Sequence, residues 1–181
     1  MKKKILFVAF LGLLSISSVS AQNAWGIRAG LCYSTATGEG ESLSGAPSLE
    51  IGPTVYRSLK NNFYLNSGLM LSVKRFDADY GAGYDKETGQ AYFLELPLYA
   101  GYAFSLGGID FYAQAGPFVG FKVADDNLAG MKSFNAGLGA AYGININRFK
   151  IELGYQQGLI SIVDEAEVTL GSAFLGISYV F

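Results

Sequence analysis

The sequence predicts an all-β protein: an eight-stranded antiparallel up-and-down transmembrane β-barrel that follows a cleaved signal peptide. Three observations predict it. Half of the 181 residues are hydrophobic and the mean hydropathy is +0.26, yet beyond the first residues no apolar run is long enough for a membrane helix. The apolar residues fall instead into about eight segments that alternate with polar ones at period two. The connections between those segments alternate between long and short, as they do in a barrel with loops on one side of the membrane and tight turns on the other. Abundant Gly (24), Tyr (12) and Phe (13) beside only 4 Pro suit close-packed strands with aromatic belts.

The first 21 residues read as a targeting segment. Lys2, Lys3 and Lys4 form a basic start, residues 5–14 are apolar, and residues 15–21 are small and polar, ending in Val19-Ser20-Ala21. The apolar stretch is nearer ten residues than twenty, which fits a cleaved signal rather than a retained anchor. Residues 1–21 are therefore expected to be a signal peptide and residues 22–181 a single barrel domain.

The first strand segment, 25–34, sets Trp25, Ile27, Ala29, Leu31 and Tyr33 against Gly26, Arg28, Gly30 and Cys32. The second, 48–59, sets Leu49, Ile51, Pro53 and Val55 against Glu50, Gly52, Thr54 and Tyr56. The third, 63–76, sets Leu65, Leu69, Leu71 and Val73 against Asn66, Gly68, Ser72 and Lys74. The fourth is the cleanest: Tyr92, Leu94, Leu96, Leu98, Ala100, Tyr102 and Phe104 alternate with Phe93, Glu95, Pro97, Tyr99 and Gly101.

In the fifth, 109–122, Ile109, Phe111, Ala113, Ala115, Val119 and Phe121 oppose Asp110, Tyr112, Gln114, Gly120 and Lys122. The sixth opposes Phe134, Ala136, Leu138, Ala140 and Tyr142 to Asn135, Gly137, Gly139 and Gly143. The seventh opposes Phe149, Ile151, Leu153 and Tyr155 to Lys150, Glu152, Gly154 and Gln156, and the last carries Ala173, Leu175, Ile177, Tyr179 and Phe181. Between them, residues 35–47, 80–90, 123–131 and 162–167 read as longer polar loops, and 60–62, 106–108 and 145–148 as tight turns.

Rows of this length exceed ordinary soluble strands and match the nine to eleven residues that a tilted strand needs to cross a bilayer. Alternation alone does not say which face is inside. The more polar face is rich in Gly, Ser, Asn, Gln and Tyr with scattered charges, whereas a soluble surface is about a quarter or more charged. That content belongs inside a narrow barrel, with the apolar rows toward lipid. Arg28, Glu50, Lys74, Glu95, Asp110, Gln114, Lys122, Lys150 and Glu152 are then expected to form an interior polar network, since charges taken out of water need partners. Tyr56, Tyr64, Tyr99, Tyr112, Phe118 and Phe174 would fill the space left, because eight strands enclose little more than their own side chains.

The closing row Ala173, Leu175, Ile177, Tyr179 and Phe181 resembles the C-terminal strand signal of bacterial outer-membrane barrels. The resemblance implies that Tyr179 and Phe181 are read by the barrel-assembly machinery. Trp25-Gly26-Ile27-Arg28-Ala29-Gly30, Leu94-Glu95-Leu96-Pro97-Leu98 and Ala113-Gln114-Ala115-Gly116-Pro117 make the chain from residue 24 onward similar to the small PorT-like outer membrane protein beta-barrel family, also called the porin family, of Bacteroidetes. It implies residence in the bacterial outer membrane, with that lipid bilayer and the assembly machinery as partners.

Catalytic chemistry is sparse. The chain has no histidine, which removes the commonest general base and metal ligand, and its single cysteine, Cys32, fits a buried inert thiol. No cofactor is expected and the chain reads as no enzyme. Asp77 and Asp79, Asp125 and Asp126, and Asp164, Glu165 and Glu167 read as solvated loop charge rather than as a calcium site. The net charge of −2 becomes about −5 once Lys2, Lys3 and Lys4 are removed, which excludes an ordinary nucleic-acid binder. The expected role is structural or interactive in the cell envelope, with loops 35–47 and 80–90 offered to an envelope protein partner. Two alternatives stay open at this level: a narrow passive pore, and a soluble periplasmic lipocalin-like carrier with its apolar rows inside.

Overall fold

The structure, a computed structural model, describes residues 23–37, 42–78, 87–126, 131–162 and 168–181. The expected signal peptide at 1–21 lies outside the described residues. The strands are β1 (Asn23–Thr37), β2 (Ser42–Ser58), β3 in two pieces (Phe63–Gly68 and Met70–Ala78), β4 (Glu87–Leu106), β5 (Ile109–Asp126), β6 (Phe134–Ile146), β7 (Phe149–Gly158) and β8 (Thr169–Val180). Each pairs antiparallel with the next, and β8 pairs with β1, so that Leu31 faces Leu49 on one side and Leu175 on the other. The sheet is thereby a ring of eight strands with no free side edge through the membrane-crossing part, as a spanning sheet must be where lipid offers no hydrogen bonds.

The gap in β3 has a local cause. Leu69 donates its N–H to the carbonyl of Pro53 at 3.0 Å, but Pro53 has no N–H to return to Leu69. Pairing lapses for one residue and then resumes in the same register: Ser67 faces Leu98 before the gap and Met70 faces Glu95 after it. The expected third strand is thus one continuous wall element with a missing rung.

The tight turns follow from residues that tolerate a left-handed backbone. Asn61 and Asn62 have φ of 58° and 65°, Gly107 and Gly108 have 62° and 83°, and Asn147 has 55°. Asn and Gly in such positions give the primed turns whose twist matches a hairpin. At the opposite end the strands outrun their apolar rows: β1 continues to Thr37, β2 starts at Ser42, β4 at Glu87, and β5 reaches Asp126. The expected loops 35–47, 80–90 and 123–131 are correspondingly shorter. Backbone pairing above the lipid does not need apolar side chains, so the end of alternation is not the end of a strand.

The two faces fall as the alternation predicts. Trp25, Ile27, Leu31, Leu49, Ile51, Leu98, Leu138 and Leu175 are exposed, while Arg28, Glu50, Lys74, Glu95 and Glu152 are buried. This is the reverse of what a soluble carrier with an apolar interior requires. Aromatic rings gather at the turn end, where Phe63 meets Tyr102 (centroids 5.0 Å), Phe104 meets Phe111 (5.7 Å) and Phe149 meets Tyr179 (5.2 Å). At the loop end Phe121 meets Phe134 at 5.1 Å. Ten residues of β5 separate Phe111 from Phe121, about 34 Å along a strand and about 26 Å across the membrane at a tilt near 40°, which matches the apolar band of such barrels.

Candidate functional site in the barrel interior

Inward positions on a small barrel converge, so residues far apart in the chain meet at its axis. Arg28 of β1 is the hub. Its Nη2 lies 2.5 Å from Oε1 of Glu50 on β2, and its Nη1 lies 2.6 Å from Oε1 of Glu152 on β7. The guanidinium also stacks over the ring of Phe174, 4.5 Å from its centroid. A planar fork offers separate N–H groups to two carboxylates in a fixed geometry that the compact ammonium of a lysine lacks.

Glu152 is held from its other side. Gln114 donates to its Oε2 at 2.9 Å and the Tyr112 hydroxyl donates to the same atom at 3.1 Å. Gln114 Oε1 in turn accepts from Asn66 at 3.0 Å and from the Tyr64 hydroxyl at 3.2 Å. A second pair, Lys74 with Glu95 at 3.2 Å, lies nearer the loop end. Every side chain of these ion pairs is almost fully out of solvent, so an unmatched charge here would carry a large desolvation penalty.

Lys150 takes a different partner. Its ammonium sits over three tyrosine rings, 4.1 Å from the centroid of Tyr112, 4.5 Å from Tyr56 and 5.1 Å from Tyr64. The rings offer their negative faces to the cation. Between the two mouths the network's charges are Arg28, Lys74 and Lys150 against Glu50, Glu95 and Glu152.

The structure does not bring all the expected residues together. Asp110 is exposed beside the turn between β4 and β5, where its carboxylate accepts from Ser105. Lys122 lies at the loop end, bonded to Asp125 and, at 2.7 Å, to the carbonyl of Met131. Both have the inward parity of the network residues, but they stand below and above it. Parity fixes the face; height along the strand depends on register, which a single strand does not reveal.

Both mouths are filled. At the turn end Tyr56, Tyr64 and Tyr112 pack together under Lys150. At the loop end Phe93, Ala36, Ala91, Leu170 and Ile162 form an apolar cluster, with Met131 and Val168 against it. Ile162 belongs to the segment expected to be a polar loop; the structure corrects this. Its backbone accepts from Lys132 N–H at 2.7 Å and donates to the Val168 carbonyl at 2.8 Å, which turns the side chain down into the barrel. The only sequence signal was the apolar run Leu159, Ile160, Ile162 and Val163 between polar residues.

Among the described residues no three of His, Cys, Asp and Glu come together to hold a metal. Asp79, Asp164, Glu165 and Glu167 lie outside the described residues, as does the side chain of Asp77. Cys32 is buried against Ala141 and Phe174.

Solved structures with the same architecture include Neisserial surface protein A (TM-score 0.54, 16% identity, 88% of this chain and 99% of that one). Ail, the attachment invasion locus protein of Yersinia pestis, is similar at TM-score 0.51, with 17% identity over 88% of this chain and 99% of that one. The outer membrane enzyme PagL is similar at TM-score 0.51, with 11% identity over 83% of this chain and 98% of that one. At these identities the likeness is one of fold, and it includes both an enzyme and a protein named for the cell surface. No curated protein matches the chain in sequence. The family model for the outer membrane protein beta-barrel domain matches residues 20–164, so the chain belongs to that family and is a protein of the bacterial outer membrane.

Proposed function

We propose that this barrel works without catalysis and without conducting solutes, as a structural or interaction protein of the cell envelope that acts through its loop end. The observation that carries the reading is the filled interior: the Arg28 network occupies the axis between a tyrosine seal at one mouth and the Ile162 cluster at the other. An eight-stranded ring leaves room for little else. Absence of histidine from the chain supports the non-enzymatic side, because outer-membrane barrel hydrolases, acyltransferases and proteases depend on that residue.

The test of the closed barrel is planar-bilayer recording with refolded protein. A flat baseline at 0.1 M and 1 M salt is the expected result, and discrete steps that scale with salt would establish the narrow pore instead. The finer kinship to PorT-like barrels rests on Trp25-Gly26-Ile27-Arg28-Ala29-Gly30 and the two later motifs, and remains part of this proposal. So does the assembly signal at Tyr179 and Phe181. Tyr179→Ser with Phe181→Ser is expected to slow insertion into outer-membrane fractions, and unchanged insertion would remove that role.

A further inference from the structure

We propose that a depression on the lipid-facing wall at the loop end binds one phosphorylated, acylated lipid of the outer leaflet, with Arg75 taking its phosphate. The depression encloses about 280 Å³ across β1, β2, β3 and β4. Its lower part is lined by Leu31, which faces Leu49, and by Val73, which faces Tyr92. One step nearer the loops the tier changes to Pro47, Arg75 and Gln90, with Arg75 facing Gln90 across the ladder. The site is therefore amphipathic in the direction of the membrane normal, with hydrocarbon contacts below and a cation above.

Arg75 is the feature that calls for a ligand. It is exposed on the outward face and makes no ion pair among the described residues, unlike inward Arg28 and Lys74. An outward charge on a barrel is costly toward the bilayer midplane and tolerable at the interface, where Tyr92 of the same depression marks the headgroup level. A guanidinium there matches a phosphate bidentately. An acyl chain lying along Leu49 and Val73 would continue from that phosphate into the hydrocarbon, so one molecule satisfies both tiers. Long strands and loops lie at this end, which places it on the outer leaflet.

The experiment is native mass spectrometry of the full-length barrel released from mixed micelles holding bisphosphorylated lipid A, its dephosphorylated counterpart, or phosphatidylglycerol. The wild type is expected to retain one lipid A, and Arg75→Gln to weaken retention about tenfold, the change that about 1.4 kcal/mol produces. Leu49→Trp, which fills the apolar tier and leaves Arg75 in place, is expected to weaken it as well, while Arg148→Gln at the opposite end leaves it unchanged. Both test variants lie on the outer face, and their folding is checked by the gel shift between unboiled and boiled samples. Equal retention by Arg75→Gln, or of the dephosphorylated lipid, would overturn the phosphate site; equal retention of phosphatidylglycerol would overturn the assignment to an outer-leaflet lipid.

Discussion

Arg28 reaches across a whole strand to Glu152: its Nη1 is 2.6 Å from the Glu152 carboxylate, although β8 lies between β1 and β7. The reach is open because Gly176 of β8 carries no side chain; a Cβ built there would come within 3.0 Å of the guanidinium. The pair thus ties three strands across the seam where the ring closes.

Cutting that tie should be costly. Arg28→Met leaves the buried Glu50 and Glu152 carboxylates without their cation, and removal of one partner from such a group destabilises by about 3–5 kcal/mol. Urea unfolding in lipid vesicles measures it. The triple change Arg28→Met, Glu50→Gln, Glu152→Gln should recover much of the loss, because it removes the unpaired charges along with the pair. A triple variant no more stable than the single one would show that the network is not electrostatic in origin.

Two glycines should fail for different reasons. At Gly101 a Cβ would meet the ring of Tyr64 at 2.2 Å, so Gly101→Val forces that ring off the wall and should cost about 1–3 kcal/mol, as overpacking does. At Gly107 nothing lies within 4 Å but φ is +62°, so Gly107→Ala should cost about 1 kcal/mol through the backbone alone. Gly107→Asn should be nearly neutral, since Asn tolerates the left-handed region, whereas Gly101→Asn should be as harmful as valine. Equilibrium unfolding of the four variants distinguishes the two mechanisms.

The lipid-facing assignment gives a depth-dependent expectation. Ala115 lies midway between Phe111 and Phe121 on the outer face, so Ala115→Arg should destabilise by about 2–4 kcal/mol, while Ile109→Arg beside the turn should cost about 0–1 kcal/mol. Equal costs at the two depths, measured by refolding titration in vesicles, would contradict a membrane slab bounded by these rings.

Cys32 offers a native reporter of the loop-end seal. It is the single cysteine of the chain and is buried inside the barrel. A water-soluble maleimide should leave the folded protein unlabelled and label it fully in denaturant. Ile162→Asp puts a charge into the cluster of Phe93 and Leu170 and should speed labelling of folded protein by at least about tenfold. Slow labelling of that variant would mean that Ile162 does not seal the mouth.

Which residues face lipid was legible in the sequence because period two and the contrast of surroundings act on every strand at once: Trp25, Leu31 and Leu98 read as outward, Arg28 and Glu95 as inward, and the structure has them so. Partners were not legible. Glu152 finds Arg28 only through the ring closure between β8 and β1, and the inward parity of Asp110 and Lys122 did not reveal that they lie beyond the two ends of the network. Ile162 was hidden because Leu159, Ile160, Ile162 and Val163 form a short apolar run without the alternation that marks which side chain turns inward; its burial goes with backbone hydrogen bonds to Lys132 and Val168. The missing rung at Leu69 needed both the presence of Pro53 and its place opposite, and the sequence supplies only the first.

Inside this barrel, a large ring and its glycine seat stand on neighbouring strands: Tyr112 opposite Gly143, Phe174 opposite Gly154. Neither half can change freely, because enlarging the seat collides with the ring, and shrinking the ring opens a void over the seat. Both can change together, by moving the ring to the other strand. The interior can therefore be redrawn in paired steps while the outer face stays as it is.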